Sequence, residues 1–88
     1  MSLTPGEIYD QVLYQVSALK GICEARGTKL RHVKPHGALY NQAANDREMA
    51  EAIVNAVKSI DPGLIIFGLS GSFLISEAKS GGLRAASE

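Results

Sequence analysis

Residues 64–68 form a continuous apolar run, Leu-Ile-Ile-Phe-Gly, directly after the sequence Asp61-Pro62-Gly63. Proline fixes φ and glycine accepts a positive φ, so Asp-Pro-Gly predicts a turn that begins a new element. A short apolar run of this kind is typical of a parallel strand that other elements cover on both faces. The run therefore predicts an interior strand of an α/β fold.

The N-terminal segment has the pattern of an amphipathic helix. Thr4 and Glu7 form a capping-box pattern, Pro5 suits the first helical position, and Gly27 provides a left-handed stop. These signals predict a helix over residues 5–26. Its apolar residues are spaced by three or four positions, as one face of a helix requires: Ile8, Val12, Val16, Leu19 and Cys23.

Two more helices are predicted farther along the chain. A capping box at Asn45-Asp46-Arg47-Glu48 starts the second helix, which runs to about residue 59 with apolar residues at positions 49, 53, 57 and 60. Ser70–Ser72 predicts the start of the third, which Gly81 and Gly82 end.

Two further segments indicate strands. Lys29–Lys34 is short and ends at Pro35, whose ring favours extended geometry for the residue before it. Leu83–Glu88 begins like another strand. The order up to that segment is α-β-α-β-α, which implies parallel strands joined by right-handed crossovers. Because two strands leave open edges, we expect either a homo-oligomer joined through these edges or a fragment of a longer protein, and Leu83–Glu88 favours the fragment.

Composition excludes several classes of partner. The 88 residues suffice for one small domain, and nine basic residues balance nine acidic ones with no run of like sign. Neither nucleic acid nor an anionic membrane surface is therefore an expected partner. The single cysteine, Cys23, can supply neither a disulfide framework nor a zinc site. No signal-peptide pattern or membrane-length apolar stretch is present, so we expect a soluble, cytoplasmic protein.

The segment HVKPHGALYN, which begins at residue 32, carries the main candidate site. It lies where a strand ends before a helix, the edge at which parallel α/β folds place catalytic groups. Lys34 can hold an anionic oxygen, and His36 can act as a base. Gly37 allows a sharp turn or the close approach of a ligand, and Tyr40 and Asn41 can donate and accept hydrogen bonds from the same loop.

Other interpretations of these polar residues remain open. Lys, Pro, His, Gly and Asn also suit a solvated turn, and composition favours neither interpretation. His32 is predicted to be a hydrogen-bonded structural residue rather than a ligand. Ser70, Gly71 and Ser72 are candidate anion-binding residues at a helix start, although helix capping explains them as well. No metal site is predicted, because the usual carboxylate partner is missing near the histidines.

The motif KPHGALYN, the preceding YDQVLYQVSALKG and the following LIIFGLSGSFL resemble the LamB/YcsF family over essentially the whole chain. That family is described as the A component of the ATP-dependent bacterial 5-oxoprolinase, a hydrolase that opens 5-oxo-L-proline to L-glutamate together with subunits B and C. The resemblance implies an internal fragment of a parallel, TIM-like β/α barrel of the glycoside hydrolase and deacetylase type. It also implies ATP and a 5-oxoproline-like small molecule as ligands, and it leaves the metal requirement open.

Only part of the family's site has a counterpart in residues 1–88. The Asn-Cys-Asp and Gly-Glu motifs of the family's N-terminal part are missing, so the fragment alone is expected to be inactive. The resemblance carries over Lys34 and His36 as catalytic residues, and Gly37, Tyr40 and Asn41 as substrate-binding residues. Three hypotheses follow: an oxoprolinase fragment, a metal-dependent deacetylase-like hydrolase fragment, or a non-enzymatic α/β module that self-associates.

Overall fold

The computed structural model describes residues 3–88, in which helices and strands alternate. Along the chain the elements are α1 (Pro5–Ala25), β1 (His32–Val33), α2 (Gly37–Asn45), α3 (Arg47–Ile60), β2 (Ile65–Gly68), α4 (Phe73–Ser80) and β3 (Arg84–Ser87). The predicted α/β organisation is confirmed, and the strand pattern at the end of the sequence is β3. The predicted order α-β-α-β-α lacks only α2 and this strand.

The three strands form one parallel sheet with β2 in the middle. His32 of β1 is in register with Ile65 of β2, and Ile65 is in register with Arg84 of β3. Parallel neighbours need crossover connections, which α2 and α3 supply between β1 and β2 and α4 supplies between β2 and β3. The prediction of an interior strand at residues 64–68 is confirmed.

The helices cover one face of this sheet. Side chains alternate between the two faces along a strand, and Leu64 and Ile66 are buried on the side of the helices. Ile65 and Phe67 point to the opposite face and are only half-buried. The prediction that the interior strand is covered on both faces is therefore wrong for residues 3–88, because the helices of this segment all lie on the side of Ile66.

The apolar core lies between α1, α3 and the sheet. Ile8, Val12 and Val16 of α1 are buried there, but the predicted apolar face of this helix does not continue to its end. Leu19 is 53% exposed and Cys23 is half-buried. Leu19 lines an open groove beside β1 together with Leu30, so this end of the apolar face is not packed into the core.

Helix α2 corrects two predictions about the segment after Pro35. The candidate site was expected on a loop, but Gly37–Asn45 is a helix of nine residues that packs against α3 and α4. Asn45 is its last residue, so the N-cap of α3 is Asp46. The Asp46 carboxylate accepts hydrogen bonds from the backbone N–H groups of Glu48 and Met49 at 3.0 and 3.3 Å.

Strand β1 is shorter than the predicted strand Lys29–Lys34, because only His32 and Val33 are paired as a strand. One more ladder bond precedes it, from the N–H of Ile65 to the carbonyl of Arg31 at 3.0 Å. Pro35 is buried and ends the ladder. Strand β1 therefore ends at Val33, and Lys34 is the first residue after it.

Candidate active site

The candidate site lies at the edge of the sheet where the strands end. Lys34 follows β1 directly, and Glu88 follows β3. The Glu88 N–H donates to the carbonyl of Gly68 at 2.9 Å, and the Ser70 N–H donates to the carbonyl of Glu88 at 3.2 Å. These two bonds continue the β2–β3 ladder, so the backbone at Glu88 is held in the position of a further strand residue.

Three side chains from separate elements meet at this edge. The Lys34 Nζ lies 3.0 Å from Oε1 of Glu88 and donates to Oε2 at 3.1 Å. The Tyr40 hydroxyl, on the first turn of α2, donates to Oε1 of Glu88 at 2.8 Å. The Lys34 ammonium also lies 5.5 Å from the centroid of the Tyr40 ring, within the range of a cation–π contact. We call Lys34, Tyr40 and Glu88 the edge cluster.

The electrostatics of the edge cluster follow from these contacts. The hydrogen bond from Lys34 lowers the pKa of the Glu88 carboxyl below its usual range, and the hydrogen bond from Tyr40 adds to this effect. Partial burial raises the pKa of the Tyr40 phenol, and donation to the Glu88 carboxylate raises it further. The Lys34 and Glu88 side chains are 40% and 37% exposed, so solvent screens their attraction and a ligand can reach them.

His36 and Gly37 connect this cluster to α2. Gly37 has a φ of 61°, a left-handed value that lets the chain turn from the strand exit into the helix. His36 is the N-cap of α2, yet its side chain makes no capping hydrogen bond and is exposed. His36 lines an open groove of about 520 Å³ that Lys34 and Pro35 also line, next to α1. The two predicted catalytic residues therefore border one groove.

Asn41 is separated from the other predicted site residues. Successive residues of a helix point about 100° apart, and Asn41 lines a different groove, together with Gln42 and Asn45. Its carbonyl accepts a hydrogen bond from the Asn45 side chain at 3.3 Å. The structure thus brings Tyr40 to the edge cluster and leaves Asn41 outside it.

His32 lies one layer below the edge cluster, on the open face of the sheet. Its ring centroid is 5.0 Å from that of Phe67 on β2, with the two planes tilted by 46°. This is an ordinary packing geometry for neighbouring rings on adjacent strands. It agrees with the interpretation of His32 as a structural residue, although the hydrogen bond expected for it is not among its contacts in the described chain.

The Ser70–Ser72 segment is largely engaged with its own backbone. The Ser70 N–H donates to the carbonyl of Glu88. Ser72 is the N-cap of α4, and its hydroxyl accepts a hydrogen bond from the N–H of Ile75 at 3.4 Å. Gly71 has a φ of 75°, which the turn requires. The segment supports the edge cluster by holding Glu88, and its role in anion binding stays a prediction.

The part of the chain that the structure describes has neither a cluster of metal-binding side chains nor a membrane-spanning helix. Among residues 3–88, no three His, Cys, Asp or Glu side chains lie close enough together to hold a metal ion. No helix in this part of the chain has both the length and the apolar character needed to cross a membrane.

Glu88 is a residue of the edge cluster that the sequence analysis did not single out. The available signal was the strand pattern at Leu83–Glu88, because alternation places Arg84, Ala86 and Glu88 on one face. That pattern predicts a carboxylate at the strand exit. The contact with Lys34 could not be predicted, since it depends on the register between strands that lie far apart in sequence.

Removing the ammonium of Lys34 should raise the pKa of Glu88. In a Lys34→Met variant of the 88-residue chain, we expect this pKa to rise toward the ordinary range of a glutamate carboxyl, as measured by NMR titration of the side-chain carboxyl carbon. Because the pKa is lower in the folded state, the contact stabilises the fold at pH values above the ordinary carboxyl range. This stabilisation is lost as the pH falls through the lowered pKa.

Lys29→Met is the matched control for this titration, because Lys29 precedes β1 and lies near Arg84 and Gly63 at the opposite edge of the sheet. It should leave the Glu88 titration unchanged. An unchanged titration in Lys34→Met would show that the ion pair does not form.

Comparison with known proteins identifies a family and a solved structure that resemble this chain over nearly its whole length. The LamB/YcsF family matches residues 1–88. Proteins named as the A component of 5-oxoprolinase from Shouchella clausii and Bordetella pertussis are 54% and 53% identical over 88 residues, which is 100% of this chain and 35% of each relative. The crystal structure of the lactam utilization protein from Thermus thermophilus matches with a TM-score of 0.94 and 51% identity, covering 98% of this chain and 35% of that one.

The chain therefore spans about a third of the length of these relatives. Its one-sided parallel sheet, with helices on the outside, is consistent with a fragment of a β/α barrel. The match over the whole sequence and the high structural similarity lead to the same conclusion: the chain belongs to the LamB/YcsF family.

Proposed function

We propose that this chain is a segment of the A component of a 5-oxoprolinase and that it forms one wall of the site at which a lactam ring is opened. The names of the relatives support the reaction class, and their sequences match all of this chain. The observation that carries the proposal is the edge cluster beside His36, because it places a cation and a titratable imidazole at the edge where β/α barrels bind substrates.

The chemistry of a lactam explains what such a wall would supply. The amide of 5-oxoproline is stabilised by resonance, and attack on its carbonyl develops negative charge on the oxygen. A fixed cation stabilises that charge more in the transition state than in the ground state, and we assign this role to the Lys34 ammonium. The exposed imidazole of His36 can transfer a proton to or from the ring nitrogen or the attacking water.

The proposed roles of the remaining residues are structural support and contact with substrate. Gly37 makes the turn that presents His36, and the Tyr40 hydroxyl contributes polar contact at the same edge. Asn41 lines a separate groove, so within this segment its substrate contact has less geometric support.

Coupling to ATP is part of the proposal but rests on the family resemblance. Phosphoryl transfer to the lactam oxygen would create a better electrophile for water. The residues described here do not form a triphosphate cradle, because Lys34 is paired with Glu88 and the Ser70 N–H and Ser72 hydroxyl are used within the chain. We therefore assign nucleotide binding to other parts of the complete enzyme, which would act in the cytoplasm with partner subunits B and C.

A direct assay tests this function. The complete protein that contains this segment, combined with its partner subunits, should convert 5-oxoproline to glutamate in a reaction that requires ATP. The 88-residue chain in place of the complete protein should give no glutamate above background, because it lacks the acidic motifs of the family. Activity toward N-acetylated sugars instead of 5-oxoproline, lost on metal removal, would favour the deacetylase hypothesis.

A further inference from the structure

We propose that Glu88 is a positioning residue that holds the Lys34 ammonium and the Tyr40 hydroxyl in the geometry needed for lactam opening. The inference rests on the proposed function for its chemical purpose. Its structural basis is independent, because it comes from the contacts of one carboxylate with two donors from separate elements.

The backbone at Glu88 is the fixed part of the arrangement. It is tied to the β2–β3 connection by the bond to the Gly68 carbonyl at 2.9 Å and the bond from the Ser70 N–H at 3.2 Å. Lys34, in contrast, lies just beyond a strand of two residues and has four rotatable side-chain bonds. A fixed acceptor that binds a flexible cation reduces the number of positions the cation samples.

The chemistry of the carboxylate suits this task. An ionised carboxylate only accepts hydrogen bonds, so both of its oxygens can receive donors at once, as Oε1 and Oε2 do here. Glutamine has nearly the same shape but presents an NH₂ group on one side and carries no charge. Glu88→Gln therefore keeps the shape of the side chain but removes its negative charge and leaves one acceptor oxygen, where Lys34 and Tyr40 now share two.

Kinetics of the complete enzyme with its partner subunits test the proposal first. We expect Glu88→Gln to lower kcat/KM for 5-oxoproline by about 10- to 100-fold, the order expected when a catalytic group is misplaced. In a Lys34→Ala background the same change should cost less than about 3-fold, because groups that act as a unit are not additive. Glu77→Gln is the control, since Glu77 contacts Arg47 at 3.5 Å between α3 and α4.

Two kinetic results would overturn the proposal. One is a Glu88→Gln enzyme within about 2-fold of wild type, the size expected of the Glu77→Gln control. The other is a double variant, Lys34→Ala with Glu88→Gln, whose loss of kcat/KM equals the product of the two single losses. That result would mean that Glu88 does not act through Lys34. A merely structural role would give this second result, with a lowered unfolding temperature.

A titration of the 88-residue chain tests positioning without any assay of activity. Glu88→Gln should lower the pKa of Tyr40, followed by the NMR signals of its ring, because burial still raises this pKa but the added effect of the Glu88 carboxylate is gone. An unchanged Tyr40 pKa would overturn the proposal even if the enzyme were impaired. If the complete wild-type protein does not open 5-oxoproline, the proposed function fails, and this titration alone decides whether Glu88 positions its two donors.

Discussion

Replacing Lys34 with alanine should lower ATP-dependent glutamate formation by the complete enzyme by about 10²- to 10³-fold. The ammonium lies at the sheet edge on a side chain that is 40% exposed, and Glu88 holds it, so it is both accessible and oriented. Its loss removes the charge that we assign to stabilising the lactam oxygen in the transition state. The loss should appear mainly in kcat if the contact strengthens as the ring opens.

Lys29→Ala is the matched control for this experiment, because it removes the same charge at the other edge of the same sheet. It should leave kcat/KM within about 2-fold of wild type, because exposed groups remote from the site contribute little. Equal losses in both variants would point to net charge or folding rather than to the site. Full activity of Lys34→Ala, with all subunits present, would remove Lys34 from the proposed mechanism.

Replacing Ile53 with alanine should destabilise the 88-residue chain by about 2–5 kcal/mol. Ile53 is 0% exposed in the middle of α3, where it is part of the core shared by α1, α3 and the sheet. The change removes buried apolar atoms and leaves a cavity. Because domains of this size have a total stability near the low end of about 5–15 kcal/mol, a loss of about 5 kcal/mol, the upper end of the expected effect, should leave a large fraction of the molecules unfolded at room temperature.

The measurement is urea unfolding followed by circular dichroism, with Ile22→Ala as the control. Ile22 is the same residue type on a helix but is 56% exposed, so its replacement should change the free energy of unfolding by about 0.5 kcal/mol or less. A similar loss in both variants would mean that the end of α1 is covered in solution. A negligible loss in Ile53→Ala would contradict the core described here.

Long periodic segments of the sequence predicted their elements well, and α2 shows why a short one did not. The patterns of α1 and α3 combine capping signals with three or four turns of apolar spacing. Helix α2 begins at a glycine, has no side-chain cap and has only nine residues. Isolated helices of that length are marginal, so α2 depends on packing, for which Ala43 is buried against the core. Tertiary packing of this kind leaves little local signal.

The sequence predicted where the candidate site lies better than it predicted which residues form it. The strand pattern predicted that Lys34 and His36 follow the end of β1, and the structure places them there, at the edge where parallel α/β folds bind ligands. The interpretation of HVKPHGALYN as a loop hid the helical rotation that separates Tyr40 from Asn41. Glu88 lies in the edge cluster because of the parallel register between β2 and β3, which a single sequence does not specify.

The most direct test of the central claim is a crystal structure of the complete protein with 5-oxoproline bound. If this sheet edge is one wall of the lactam site, the ring carbonyl or carboxylate of the ligand should lie within hydrogen-bond distance of Lys34 or His36, with Glu88 contacting Lys34. A ligand bound at another place, with the edge cluster more than about 10 Å away, would contradict the account, because no direct hydrogen bond spans that distance.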